Sequence, residues 1–270
     1  MLFVPSLRNV WPEKVTRMSH HLTVLMKKTW NVLAARDAMH YIATERESWD
    51  RDSFLQSGVT TLREVFLSVG ASLEPSEGVA LDLGCGVGRV SFALARLFGQ
   101  VIAVDVSETM VAEGYRLKEV LGNQNVTFLC NNGLDLRMIE SSTCDLAFSY
   151  IVLQHIPDKC VIMGCIGEMA RVVKRHGHVL FQVPVYQQGH WSMIWRACQA
   201  MFRLVLVPMD RLGLVSPAAG AAFRGTRLLA SDLDAAIKDN GLSVERSIRG
   251  QSTYRFCDDV IVYCRKEREG

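Results

Sequence analysis

Residues 81–89 decide the fold of this chain and read Leu-Asp-Leu-Gly-Cys-Gly-Val-Gly-Arg. The apolar run at 79–83 predicts a short buried strand in front of the glycines. Apolar residues then recur at helical spacing from Val90 to Phe98, and we expect Gly99 to end that helix. Glycines between a strand and a helix allow a tight turn and a close approach of backbone to a ligand. The stretch therefore predicts a ligand-binding loop at the carboxyl edge of a sheet.

The segments downstream repeat this strand and helix pattern. Further strands are predicted at 101–104, 126–129, 145–149, 179–183, 242–248 and 259–264. Helices are predicted from the N-cap Ser107 to about residue 121, over 159–175 with Gly177 as the terminating residue, and over 231–240 before Gly241. Such alternation implies right-handed crossovers between parallel strands. The predicted fold class is α/β, with a doubly wound, mostly parallel seven-stranded sheet.

Two regions depart from the pattern. Residues 28–69 predict two or three helices, broken around Ser57-Gly58. Residues 186–224 are rich in Trp, Met, Leu and Val and predict a helical insertion after the fifth strand. Within it, the apolar residues of 191–209 nearly encircle a helix, so this helix must bury against something. The domain itself, an apolar acceptor pocket under a lid, a second copy in a homodimer and a membrane surface all remain open.

Composition narrows the classes of protein. The 270 residues are 49% hydrophobic and 21% charged, which excludes a disordered chain or a collagen-like repeat. The net charge is +2 and the charges are scattered, so we do not expect a nucleic-acid partner. No apolar run is long enough to predict a transmembrane segment. The eight cysteines form no C-x-x-C pair or metal-binding pattern, which favours a reducing, cytoplasmic compartment and predicts no metal site.

An acidic residue completes the predicted site. Asp105 ends the second strand, where a carboxylate can accept hydrogen bonds from both ribose hydroxyls of a nucleoside. A dinucleotide site has the spacing G-x-G-x-x-G, whereas this chain has Asp82-x-Gly84-x-Gly86-x-Gly88. A nicotinamide-dependent dehydrogenase is therefore a minor hypothesis.

The spacing resembles the first motif of the class I S-adenosylmethionine-dependent methyltransferases of the small-molecule type. Segments 105–110, 131–133, 148–158 and 168–177 are similar to later motifs of that family, in the same order. The likeness spans about 78–185 and returns at 225–266. It implies a Rossmann-like methyltransferase fold with S-adenosylmethionine as cofactor.

The resemblance also implies roles for individual residues. The cofactor-binding set would be Asp82, Gly84, Cys85, Gly86, Gly88, Asp105, Val106, Met110, Asn132, Gly133, Tyr150 and Gln154. The glycine loop would contact the methionine and ribose portions, and Tyr150 and Gln154 would lie near the transferred methyl. Many relatives have Asp where this chain has Asn132, whose amide oxygen can still bond the adenine amino group. Met110 is expected either on the adenine face or as core filler.

For catalysis, His155 follows the fourth strand and is the first candidate for a general base, with a packing role as the alternative. His190 is the second candidate. The segment after the fourth strand lacks the Asn/Asp-Pro-Pro-aromatic motif of relatives that methylate amide or nucleobase nitrogens. We therefore expect a small, partly apolar organic acceptor. A cofactor-binding partner or regulatory subunit without turnover is the alternative function.

The expected domain division follows from the extent of the likeness. Residues 1–25 do not resemble the family and Met26 looks like a natural start, so we expect 1–25 to be a dispensable extension. Residues 26–77 are expected to form a helical cover, in which Trp30, Tyr41 and Trp49 either close over the cofactor or pack the helices together. Residues 78–270 are expected to form the methyltransferase domain.

Overall fold

One seven-stranded sheet, in the order β3-β2-β1-β4-β5-β7-β6, forms the centre of the molecule. The computed structural model describes residues 17–189, 209, 225–252 and 257–267. The strands are β1 (Ser76–Leu83), β2 (Phe98–Asp105), β3 (Val126–Cys130), β4 (Cys144–Ser149), β5 (Val173–Tyr186), β6 (Leu242–Gln251) and β7 (Cys257–Lys266). The helices are α1 (Arg17–Ile42), α2 (Arg51–Ser68), α3 (Ser91–Leu94), α4 (Glu108–Leu121), α5 (Lys159–Val172) and α6 (Ala230–Asp239).

The five strands from β3 to β5 pair in parallel, and β7 runs antiparallel between β5 and β6. Alternate residues of each strand enter apolar clusters on opposite faces. Leu81 packs with α5 and α6 on one face, and its neighbour Ala80 packs with α2 and α4 on the other. Both faces of the sheet are covered by helices, so the predicted fold class is confirmed.

The predicted helix after the glycine loop is wrong in length. It was expected to reach Phe98, but α3 ends at Leu94 and Phe98 is the first residue of β2. The carbonyl of Leu97 accepts a hydrogen bond of 2.7 Å from the backbone N–H of Ser76, at the start of β1. The chain is thereby drawn back to the sheet three residues after the helix.

The predicted end of α5 is also wrong. The helix stops at Val172 instead of residue 175, and Gly177 lies inside β5. Long-range donors take its last carbonyls, because Lys266 Nζ donates to Val173 O at 2.6 Å and to Arg171 O at 3.4 Å. Gly177 serves a different purpose, since a Cβ there would lie 2.7 Å from the carbonyl oxygen of Asp145.

The helices before the sheet break at a different place from the predicted one. One break lies at Asp37, whose φ of −163° and ψ of 93° are not helical, and a second lies between Ile42 and Arg51. Among the described residues, three helical segments therefore precede the sheet, within the predicted two or three, and Ser57-Gly58 is inside α2. A Cβ on Gly58 would lie 2.0 Å from the carbonyl oxygen of Arg89, so this glycine permits close packing of α2 on the glycine loop. Helix α1 begins at Arg17 and runs through the expected domain boundary at residue 25.

Other predicted ends are confirmed. The Ser107 hydroxyl caps α4 by accepting from Met110 N at 3.2 Å, and Gly241 follows α6 with φ of 67°. The insertion predicted at 186–224 lies outside the described residues, apart from 186–189 and Met209. None of the described helices is long and apolar enough to cross a membrane.

Candidate active site

The three glycines of the loop after β1 have left-handed backbone conformations. Their φ angles are 81° at Gly84, 56° at Gly86 and 95° at Gly88. The N–H groups of Gly84 and Cys85 both donate to the carbonyl of Val104, at 2.7 Å and 3.0 Å. The loop is therefore anchored to the end of β2 and turns sharply at the carboxyl edge of the sheet.

Close contacts also require glycine in this loop. A Cβ on Gly84 would lie 2.3 Å from the Val152 side chain, and one on Gly86 would lie 2.4 Å from Ile42 Cδ1. Val152 follows β4 and Ile42 ends α1. The loop is thus enclosed by the segment after β4 on one side and by the end of the first helix on another.

The Asp105 carboxylate connects the loop to β2. Its Oδ2 accepts from Gly86 N at 2.9 Å and its Oδ1 from Ser107 N at 2.8 Å. Desolvation raises the pKa of this half-buried carboxyl, and the backbone N–H groups of Ser107 and Gly86 partly offset that effect. The backbone N–H of Val106 also contributes a hydrogen bond, so three backbone donors fix this carboxylate at the carboxyl end of β2.

Asp82 and Cys85 are more deeply buried. The Asp82 carboxylate is only 3% exposed and accepts a hydrogen bond of 2.6 Å from the Ser91 hydroxyl. Burial raises the pKa of Asp82 to about 6. Burial also raises the pKa of the Cys85 thiol well above its ordinary value, so the thiol stays protonated. Asp82 thus connects β1 to the start of α3, on either side of the glycine loop. Cys85 is not a nucleophile.

At the expected adenine end, the Asn132 amide oxygen has local partners. It accepts from the backbone N–H groups of Leu134 at 2.7 Å and Asp135 at 3.0 Å. Gly133 has φ of 75°, and a Cβ there would lie 2.6 Å from Thr23 Cγ2 and 3.1 Å from Val106 Cγ2. Bonding to an adenine amino group through the Asn132 oxygen would have to compete with the turn that this oxygen now stabilises.

Met110 is 1% exposed and packs in a cluster with Ala34, Phe54 and Val87. Trp30 and Ile42 of α1 border the same cluster. In this arrangement Met110 fills the core between α1, α2 and the glycine loop.

Tyr150, Gln154 and His155 follow β4 at the carboxyl edge of the sheet. Burial raises the pKa of the Tyr150 phenol, so it is a neutral hydrogen-bonding group. His155 ends a single 3-10 turn, Leu153–His155, and its ring lies edge-on to Trp30 with centroids 5.2 Å apart. Burial lowers the pKa of His155 to about 4, so the imidazole is neutral near pH 7. His190 lies outside the described residues.

Residues 81–181 match a family described as "Methyltransferase domain". This segment of the chain is similar to a methyltransferase domain. The match confirms the predicted methyltransferase class, and the matched segment covers the glycine loop, Asp105 and the segment after β4.

Two curated relatives and one solved structure resemble this chain. A ubiquinone biosynthesis O-methyltransferase of Xanthomonas axonopodis pv. citri (strain 306) is 32% identical over 132 residues, 48% of this chain and 54% of that protein. Phosphoethanolamine N-methyltransferase 1 of Zea mays is 34% identical over 121 residues, 43% of this chain and 23% of that one. The chain thus spans about half or less of these relatives. A magnesium protoporphyrin IX methyltransferase from Synechocystis PCC 6803, solved with bound SAH, shares the fold, with a TM-score of 0.59, 20% identity and coverage of 90% of this chain and 99% of that one.

The first helix, α1, contacts the start of α4 beside the glycine loop. Asn31 Oδ1 accepts from the Ser107 hydroxyl at 2.7 Å, and Lys27 Nζ contacts Glu108 Oε1 at 2.7 Å. Of the three aromatic residues expected in the cover, Trp30 contacts the site through His155. The Trp49 indole N–H donates to Ala43 O at 2.6 Å, and its ring packs on Phe54, so Trp49 joins α1 to α2.

Two polar residues of the site were missed by the sequence analysis. Arg89 is 7% exposed, and its guanidinium donates to the Thr61 hydroxyl at 2.8 Å, so it connects the glycine loop to α2. Gln182 is 3% exposed and contacts Gln154. A signal for Gln182 was present, because it is the single polar residue in the run Val179-Leu-Phe-Gln-Val-Pro-Val185.

Proposed function

We propose that the chain transfers the methyl group of S-adenosylmethionine to a small organic acceptor. The observation that carries this proposal is the Asp105 carboxylate, which the N–H groups of Gly86 and Ser107 fix at the carboxyl end of β2. It lies beside a loop of three positive-φ glycines, where backbone can approach a nucleoside closely.

The family resemblance suggests the following roles for the chain's own residues. Gly84, Gly86 and Gly88 present backbone to the methionine and ribose portions, and Asp105 holds the ribose hydroxyls. Val106 and Gly133 border the adenine. The cofactor supplies a methyl group on a positively charged sulfur, which is a good leaving group. The protein aligns the acceptor with that methyl and excludes water.

The acceptor site is proposed beside Tyr150, Gln154 and His155, at the carboxyl end of β4. Ile151 is 41% exposed there and offers an apolar surface. The chain returns from the 186–224 insertion at this end, since a Cβ on Gly225 would lie 2.0 Å from the Gln154 carbonyl oxygen. The two relatives are named for methylation of oxygen and of nitrogen, so both atoms are candidates.

A cytoplasmic location is also proposed. Six described cysteines, Cys85, Cys130, Cys144, Cys165, Cys257 and Cys264, carry free thiols, as is usual in a reducing compartment. Homodimer formation and membrane-surface contact through 191–209 remain predictions.

Binding and turnover test the proposal separately. Calorimetry should show binding of S-adenosylmethionine and none of nicotinamide dinucleotide. Asp105→Asn should weaken cofactor binding at least about tenfold, because one oxygen becomes an amide nitrogen that repels a backbone N–H. Asp234→Asn, on the exposed face of α6, is the matched control.

Turnover is then measured with methyl-labelled cofactor and a panel of carboxylic acids, phenols and amines. Labelled product supports the enzyme. Cofactor binding without product across the panel would favour the alternative of a partner or regulatory subunit, and nicotinamide binding would favour the dehydrogenase.

A further inference from the structure

A chain of hydrogen bonds runs from β5 to His155 and begins at Gln182. Gln182 Oε1 accepts from the backbone N–H of Ile151 at 3.1 Å. A backbone N–H can only donate, so the contacting atom of Gln182 must be its oxygen. The Asp259 carboxylate also accepts a hydrogen bond from Gln182, which independently requires the amide nitrogen to point the other way. The orientation of the buried amide is therefore determined by two neighbours.

The orientation of the Gln182 amide determines that of the Gln154 amide. Gln182 Nε2 donates to Gln154 Oε1 at 3.4 Å, so the Gln154 oxygen faces Gln182. The Gln154 nitrogen then faces His155 Nε2 at 3.3 Å. An amide NH₂ has donors only, and His155 Nε2 must present its lone pair to it.

A neutral imidazole carries one proton, which in His155 must therefore be on Nδ1. Nδ1 is buried and has no hydrogen-bond partner within the part of the chain that the structure describes. Trp30 packs edge-on against the ring and restricts its rotation. A buried N–H without an acceptor is costly, so this atom is suited to an oxygen of a bound ligand.

The backbone at Ile151 supports the same interpretation. Its φ of 59° is in the left-handed region, which is costly for a β-branched side chain. Ile151 directly follows Tyr150 and its N–H is the donor that orients Gln182. Strain of this kind concentrates at functional sites, where surrounding contacts maintain it.

We propose that His155 donates a hydrogen bond from Nδ1 to an ionised oxygen of the methyl acceptor, a carboxylate or a phenolate, and that Gln154 and Gln182 are positioning residues that set its tautomer. This inference rests on the proposed methyltransferase function. The acceptor loses its proton to solvent before transfer. Its oxygen then forms a bond to the methyl carbon as the carbon–sulfur bond breaks, and the electron pair of that bond goes to sulfur, which becomes a neutral thioether. His155 orients the oxygen and removes no proton, which replaces the general-base role expected from the sequence.

The tautomer can be measured without an acceptor. The full chain is labelled with ¹⁵N-histidine, and two-bond proton–nitrogen NMR correlations report which ring nitrogen is protonated. His155→Asn identifies the signal by its loss. We expect Nδ1–H at pH 7, and a wild-type spectrum with Nε2–H or a doubly protonated ring at His155 would overturn the proposal.

Gln154→Glu tests the relay. A carboxylate only accepts, so His155 should change to the Nε2–H tautomer, whereas Gln124→Glu at an exposed position should leave it as Nδ1–H. An unchanged tautomer in a folded Gln154→Glu variant would overturn the role of Gln154. If that variant does not fold, Gln182→Met should make the His155 signal a mixture of tautomers, and an unmixed Nδ1–H signal would overturn the relay.

Activity measurements with an acceptor from the panel distinguish a hydrogen-bond donor from a general base at His155. His155→Phe should lower kcat/KM by about 10- to 100-fold, the usual effect of losing a hydrogen bond to a charged group. His155→Asn should recover at least half of that loss on a logarithmic scale, because Asn Nδ2 and His Nδ1 are both bonded to Cγ. Equal loss in both variants with increased activity in Gln154→Glu would show a base and overturn the proposal. Absence of cofactor binding would refute the proposed function while leaving the measured tautomer unaffected.

Discussion

Two ionisable side chains of the site contribute opposite pH dependences to stability. Burial raises the pKa of Asp82 from 3.8 to about 6, so between those values the folded chain binds the extra proton and stability falls as pH rises. Burial lowers the pKa of His155 from 6.5 to about 4. Between those two pH values the unfolded chain binds the extra proton, so stability rises with pH. The two effects largely cancel between about pH 4 and 6.

Replacing His155 should expose this cancellation. His155→Asn lacks the contribution of the imidazole, which in the wild type makes stability rise with pH. The wild type should therefore gain up to about 3 kcal/mol in free energy of unfolding relative to the variant between pH 4 and 6.5. Urea unfolding at several pH values measures it. His20→Asn, at an exposed position of α1, is the control. Parallel curves for wild type and His155→Asn would contradict a buried neutral imidazole.

The strained conformation of Ile151 yields a second prediction. Ile151→Gly should raise stability by about 1 kcal/mol, because glycine adopts φ of 59° without strain and the side chain it removes is 41% exposed. Val120→Gly, at a 66% exposed position in α4, should lower stability by a similar amount. Thermal midpoints compare the two variants, and a lower midpoint for Ile151→Gly would refute the strain.

The glycine loop and Asp105 could be predicted from the sequence because their spacing is local. The tautomer of His155 could not, because it depends on Gln182, which lies 28 residues from Gln154 along the chain. Arg89 was missed for the same reason, since its hydroxyl partners are in α2. Short-range patterns identify the groups proposed to bind the cofactor, whereas long-range contacts determine the orientation of the side chains around them.

Helix α1 changes the expected outcome of an N-terminal truncation. Ser19 Oγ donates to Asp158 Oδ2 at 2.7 Å, and Thr23 lies against Gly133 at the adenine end. A chain starting at Met26 loses both contacts. We expect its thermal midpoint to fall at least about 3 °C below that of a chain starting at Arg17, and its cofactor affinity to fall with it. Equal midpoints and affinities would restore the interpretation of 1–25 as dispensable.

The element boundaries show where sequence patterns stop being informative. The strands were predicted because apolar runs bounded by glycine and polar residues are local signals. The end of α5 was wrong because it is set by Lys266, 93 residues from Val173. Gly58 and Gly177 were interpreted as breaks, but both are positions where another segment's carbonyl approaches within 2.7 Å of a Cβ site. A glycine required by tertiary packing looks the same in sequence as one required by a turn.

Cofactor binding should stabilise the whole molecule, because the loop after β1 contacts both α1 and the segment after β4. At a hundred times its dissociation constant, S-adenosylmethionine should add about 2.7 kcal/mol to the free energy of unfolding. Thermal midpoints across a cofactor titration measure this effect, and amides of α1 and residues 84–88 should gain protection from hydrogen exchange. A midpoint that does not move with cofactor concentration would contradict the proposed site.

The antiparallel strand β7 has a consequence for biosynthesis. It pairs along β5 at nine positions, yet 70 residues separate the end of β5 at Tyr186 from the start of β7 at Cys257. While the ribosome translates that interval, the edge of β5 has no partner on the β7 side, and its run of Val179, Leu180 and Phe181 is apolar. Unpaired apolar edges are templates for aggregation. A nonsense codon or stalled ribosome before Cys257 would therefore yield an aggregation-prone chain that depends on chaperones, even though it contains the complete glycine loop.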